Sequence, residues 1–255
     1  MNSQSWRRWL GLLMREVREN KVQVIVMPHF FSAIVLLLLL LVTSDESVST
    51  QELIDQLMAG LNTIDITAFA PAFSLFGAPY LFIMMVSAAV YLSKSLWQDR
   101  RDQSYLFWQS MPVSDTQTVL SKLLVALFVM PVTYALALLL LALILLVGLC
   151  GSALVLGVQL SGVAGLISVA LTAILYTFLS SLVSMLWLFP ACAWLLLFSA
   201  FATRTPLLWA AGAAFVLALL ERALVQSDLL ATWMSSRSTP WQYLVFDLSS
   251  VADRL

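Results

Sequence analysis

Long apolar runs alternate with short polar segments along this chain, and the apolar runs are long enough to cross a hydrocarbon core as helices. Before the first of them, Trp6, Leu10, Leu13 and Val17 recur at helical spacing, with Arg7, Arg8, Arg15 and Arg18 on the remaining circumference. That pattern predicts a helix within residues 1–21 lying in the headgroup region, its apolar stripe toward the acyl chains and its arginines at the phosphates. The first span is expected from about Val22 to Val42, ending in a run of leucines, with Pro28 and His29 one turn from its start. The expectation for His29 is a polar contact near the interface with a neighbouring helix.

Between Thr43 and Thr67 the chain turns polar and acidic, with Ser49 and Glu52 in a capping-box spacing that opens a short helix. A second span follows, roughly Phe69 to Leu92, its start bent or delayed by Pro71 and Pro79. The third runs from about Val119 to Leu149, longer than one crossing needs and therefore tilted or kinked near Pro131. No charge falls between Val163 and Thr203, which as helix would be ~60 Å long, about twice a bilayer core. One long span bent at Pro190 and reaching the far side around Arg204 is favoured over two spans with a turn there. A last crossing, Leu207 to Val225, leaves a polar, partly amphipathic tail. The count is five spans, or six if the 163–203 run is two or if a further span lies beyond the tail.

Composition agrees with the pattern: 61% of residues are apolar, 11% are charged and the net charge is −1. Mean hydropathy is +0.94. Such a chain cannot clothe a surface in water, and its blocks are too long for the alternating ~10-residue strands of an outer-membrane barrel. The fold class expected is an all-α integral membrane protein forming one domain, residues 1–255. The charge balance gives no reason to expect a nucleic-acid partner. Residues 1–21 and 93–122 hold the basic residues near the first three spans, and the loop between the first two spans holds none. By the positive-inside rule the N-terminus and the second loop are cytoplasmic. No cleavable signal peptide is expected, because the first apolar run is already of span length.

Candidate chemistry is sparse. The predicted spans carry no Asp or Glu at mid-membrane, no metal-ligand spacing, no nucleophile elbow and no phosphate-cradling glycine loop. Ser180, Ser181 and Ser184 form a hydroxyl cluster best read as packing contacts or back-bonds to carbonyls. Cys150 and Cys192 read as small apolar residues in the spans. An ion-coupled transporter would require intramembrane carboxylates, so the energy for any transport is expected from elsewhere.

The loop over residues 93–118, SKSLWQDRRDQSYLFWQSMPVSDTQT, is the most informative stretch. Trp97, Arg101, Tyr105 and Trp108 would form one ridge of a short helix, with Asp99, Arg100 and Asp102 around it. Pro112 stops that helix, and Ser114 with Gln117 forms a second capping box opening the third span. Aromatics and arginine are the residue types that dominate interface hot spots, although the same helix could rest on lipid alone.

DRRDQSYLFWQSMPVSDTQTVLSKLL resembles the cytoplasmic loop of type-2 ABC export permeases, and the AWLLLFSAFATRTPLLW segment around Arg204 fits the same family. The resemblance implies a permease subunit of the bacterial inner membrane, multi-pass, with a short cytoplasmic coupling helix that docks into a separate ATP-binding subunit. ATP and Mg would be held by two copies of that subunit, and this chain would hold no cofactor and catalyse nothing itself. The permease would pair with itself or with a similar chain to form the path. Asp99, Arg100 and Arg101 would be polar docking contacts, Tyr105, Phe107 and Trp108 would fill the ATPase groove, and Trp97 and Asp102 would belong to the same docking helix. Two departures stand out: relatives often carry Gly where Gln103 stands, and they finish with a sixth span. The alternative function is an ATPase-coupled membrane anchor or signal-transmission protein that transports nothing.

Overall fold

A computed structural model of the chain describes residues 3–43, 77–103, 114–156 and 163–238. Within them the secondary structure is helical, with no strand. The order is α1 (Ser3–Glu19), a π turn (Val22–Val26), α2 (Met27–Thr43), α3 (Ala78–Arg101), α4 (Asp115–Leu124), a second π turn (Val125–Val129), α5 (Met130–Leu156), α6 (Val163–Trp187), α7 (Phe189–Phe201), α8 (Pro206–Val225) and α9 (Leu229–Ser238). Five stretches are long and apolar enough to cross a membrane: Val22–Leu41, Ala78–Arg101, Asp115–Gly151, Ala170–Trp187 and Pro206–Val225. The described residues are thus all-helical and of multi-pass membrane character. The capping box predicted at Ser49 lies outside the described residues.

No loop separates α1 from the first span. The ladder continues as Asn20 N–H donates to Glu16 O at 3.0 Å and Val24 N–H to Asn20 O at 3.1 Å. Leu13 and Val17 pack on the protein core, so this part of the predicted lipid-facing stripe faces protein instead. The physical reason lies on the same face: Glu16, between them on the helix surface, is itself buried in a charged contact between helices.

Both π turns have the same cause. Each ends at a methionine that is followed by proline, Met27–Pro28 and Met130–Pro131. Proline cannot donate the i→i−4 bond. The methionine N–H bonds five residues back, Met27 to Val22 O and Met130 to Val125 O, and the extra residue is absorbed as a wide turn. The irregularity expected near Pro131 is therefore a π turn just before it. His29, expected to reach another helix, instead bonds Ile25 O of its own helix at 2.7 Å and is exposed.

The α3 helix is the central span. Half of its window is buried inside the protein, against 11% for the windows of α2 and α8, whose apolar side chains face outward. Lipid is as apolar as leucine, so close helix packing here relies on small residues and interhelical hydrogen bonds rather than on the hydrophobic effect. Tyr134 Oη donates to Ser87 Oγ at 2.7 Å, and Ser32 Oγ bonds Tyr80 Oη, tying α5 and α2 to α3. Ser181 back-bonds Phe178 O at 2.6 Å, as its spacing predicts, whereas the buried Ser184 hydroxyl has no partner among the described residues.

α6 and α7 form one bent path parallel to α3. Thr177 and Ser181 of α6 lie beside Tyr80 and Met84 near the start of α3. Ser199 at the end of α7 meets Leu96 and Trp97 near the end of α3. The two strings of residues advance together, so the chain does not double back at Pro190. The break is one residue, Leu188, at φ −84° and ψ 3°, bridged by helical bonds from Leu188 N–H to Ser184 O and from Cys192 N–H to Leu188 O. Proline at the start of α7 is well placed, because a helix's first N–H groups have no intrahelical partner.

Candidate functional site

The final turns of α3 carry the densest polar chemistry of the described residues. No proline or glycine interrupts the helix between Pro79 and its end, and Arg100 and Arg101 in its last turn complement the negative end of the helix dipole. Residues Trp97–Arg101, expected in a separate short helix, are therefore the continuation of the second span. The helix stops where Asp102 leaves the helical region and Gln103 takes φ 52°, a left-handed conformation that glycine adopts without strain.

Adjacent residues of that last turn point to opposite sides. Asp99 Oδ2 lies 3.0 Å from Lys122 Nζ, whose other contacts are Glu16 Oε1 at 3.0 Å and Oε2 at 3.1 Å. Tyr91 Oη, two turns back on α3, donates to Glu16 Oε2 at 3.2 Å. Lysine has three N–H donors, and these three oxygens match them in number. Glu16 and Lys122 side chains are each 1% exposed and Asp99 is 15% exposed, so the cluster is an internal ion triad joining α1, α3 and α4. With both carboxylates charged it carries a net −1. Burial raises the Glu16 carboxyl above its ordinary range; the Lys122 ammonium opposes the shift and the Asp99 carboxylate adds to it. The Ser114–Gln117 capping box is present at the start of α4, with Gln117 N–H donating to Ser114 Oγ and Ser114 N–H to Gln117 Oε1, both at 3.3 Å. It sets the helix start from which Lys122 is presented.

On the opposite side Arg100 donates through Nη2 to Ser199 O and Ala202 O, both at 2.9 Å. These carbonyls belong to the C-terminal end of α7, where helices leave acceptors unpaired. Ser199, fully buried, accepts at its Oγ from the backbone N–H groups of Leu96 at 3.0 Å and Trp97 at 3.1 Å. Trp97 Nε1 donates to Thr203 O at 3.1 Å, and the Arg101 guanidinium lies 5.2 Å from the centre of the Trp97 ring. The end of α3 is thus bolted on both flanks, by an ion triad to α1 and α4 and by a hydrogen-bonded clasp to α7.

Of the eight residues singled out by the sequence, Trp97, Asp99 and Arg100 are engaged within this joint, and Arg101 and Asp102 are exposed at its edge. Tyr105, Phe107 and Trp108 lie outside the described residues. Sequence reasoning missed Glu16, Lys122, Tyr91 and Ser199. For Glu16 a signal existed: an acid one position before Val17 and three after Leu13 sits in the apolar stripe of its helix, where it needs a partner. Comparison with family models, with curated proteins and with solved structures returned no match.

Proposed function

We propose that this chain is the membrane-spanning subunit of an ATP-driven export transporter of the type-2 ABC class, with its N-terminus cytoplasmic and ATP hydrolysed by a separate subunit. The observation that supports this reading best is the joint at the end of α3. The segment after Gln103, where the sequence resembles a coupling loop, leaves directly from a turn that grips α1, α4 and α7. A push on that segment would be passed to three further elements together, as conversion of ATPase closure into span movement requires. In this reading Asp99 and Arg100 hold the lever, and Arg101, Asp102, Tyr105, Phe107 and Trp108 meet the partner.

The test is co-purification in mild detergent with the ATP-binding subunit encoded nearest to this chain, scored by ATPase activity. The expected result is a complex with two copies of each chain. Trp108→Ala combined with Arg101→Ala is expected to abolish it while membrane insertion is retained. A double variant that still binds would overturn the docking assignment. A complex whose ATPase responds to no candidate cargo would favour the anchor or signalling role.

A further inference from the structure

Beside the clasp, Trp97, Arg100, Arg101, Thr203 and Arg204 line an open depression between the end of α3 and the bend that joins α7 to α8. Three guanidinium groups share this one concavity, and among the described residues no acid lines it. Asp99, next to Arg100 in sequence, is turned to the other flank by Lys122, and Asp102, next to Arg101, is exposed outside the lining. Arg100 is fixed by carbonyls that occupy its Nη2, and Arg101 is braced on the Trp97 ring. Arg204 is exposed. A bundle end with this excess of positive charge is complementary to a phosphate-bearing anion, and arginine's planar fork suits phosphate oxygens.

The surroundings indicate the source of that phosphate. The depression is bounded by the last turn of one candidate span and the first residues of another, Ala78–Arg101 and Pro206–Val225, which places it at headgroup depth. Directly after Arg204, the outward-facing Leu207, Leu208 and Trp209 are 42%, 69% and 59% exposed. They offer an apolar wall along which acyl chains can lie below a headgroup. Trp97, an indole with its N–H satisfied, stands at the same level, as tryptophan does at membrane boundaries.

We infer that the depression formed by Trp97, Arg100, Arg101, Thr203 and Arg204 is a binding site for the headgroup of an anionic phospholipid. The site is independent of the transport reading, because it needs only this chain and a bilayer lipid.

Delipidated protein in neutral detergent, titrated with phosphatidylglycerol and separately with phosphatidylcholine, tests it by native mass spectrometry. Phosphatidylglycerol is expected to bind at least tenfold more tightly. Arg204→Ala and Arg101→Ala should each weaken it about fivefold, and together about 25-fold, at roughly one surface-charge contact per arginine. Arg222→Ala, at the far end of α8, should leave it unchanged. Inorganic phosphate at millimolar concentration should fail to displace the lipid, because it lacks the acyl contacts. Equal binding of the two lipids to the unaltered protein, an undiminished preference in the double variant, or ready displacement by phosphate would each overturn the site as a lipid site. The first and last outcomes are read on the unaltered chain and hold even if a variant fails to fold.

Discussion

At the scale of single residues, Lys122 is the side chain on which most depends. It sits between two carboxylates in a region from which water is excluded, and it holds both of them at hydrogen-bond distance. Replacing a buried ion cluster wholesale can be neutral, but removing one member leaves uncompensated charge behind. Lys122→Met is therefore expected to cost about 3–5 kcal/mol, seen as a lowered unfolding midpoint in detergent. Adding Glu16→Gln to it should recover part of that loss, since one of the two stranded charges disappears. Glu16→Gln alone should be mild, because the amide oxygen can still accept from Lys122 and Asp99 remains to balance its charge.

The same substitution exposes a pH dependence. The folded-state pKa of Glu16 is raised, mainly by burial, so protonation is favoured in the folded chain. The stabilisation this gives is complete below the unfolded value of 4.5 and is lost as pH rises through the raised folded value. Glu16→Gln does not titrate and keeps its contribution. The midpoint of the variant minus that of the unaltered chain should therefore grow as pH increases through that window. A difference that is flat or falls would mean that the carboxyl is held in its charged form. The pairing was not legible from residue types along the chain: the place of Glu16 in an apolar stripe signals a need for a partner, but Lys122 reads only as a count toward membrane orientation. What makes them a pair is contact across more than a hundred residues of sequence.

Between elements, the union of α3 and α7 depends on a hydroxyl inserted at two backbone N–H groups. Ser199 is fully buried, and the amides of Leu96 and Trp97 both donate to its Oγ. Ser199→Ala removes this interhelical acceptor, which water cannot replace at a buried site, while the helical ladder of α3 still serves both amides, at an expected cost of about 0.5–1.5 kcal/mol. Hydrogen exchange gives the specific readout: amides 96 and 97 should exchange faster in the variant, while those of Met84 and Ala88 in the same helix keep their protection. Uniform acceleration along α3 would show that Ser199 acts through general packing. Helix positions and caps were readable in advance at this scale, because the Ser114–Gln117 box and the apolar runs are local signals. The π turns were less so: the proline announces an irregularity, but its form depends on whether the ladder breaks, kinks or slips by one residue. The extension of α3 through Arg101 was hidden by charge, since Lys94 to Asp102 reads as a loop until the partners of those charges are known.

Across the whole molecule, the parallel course of α3 and the α6–α7 path decides how many times the chain crosses. The run from Val163 to Thr203 could be two spans or one by length and hydropathy alone. Its contacts decide for one: residues 177 to 181 sit beside the beginning of α3 and residues 199 to 203 beside its end. A bent single path puts the start of α6 and residue 203 on opposite faces of the membrane, whereas a turn at Pro190 would put them on the same face. Single cysteines at Ser161, Thr203 and Asp115, in a chain with Cys150 and Cys192 replaced by alanine, separate the two by labelling with a membrane-impermeant maleimide. Thr203→Cys and Asp115→Cys should label from one side and Ser161→Cys only from the other. Labelling of Thr203→Cys together with Ser161→Cys, from the side opposite to Asp115→Cys, would require a sixth crossing between 161 and 203. It would also pull α7 away from the end of α3, and with it the clasp through which the proposed lever reaches α7.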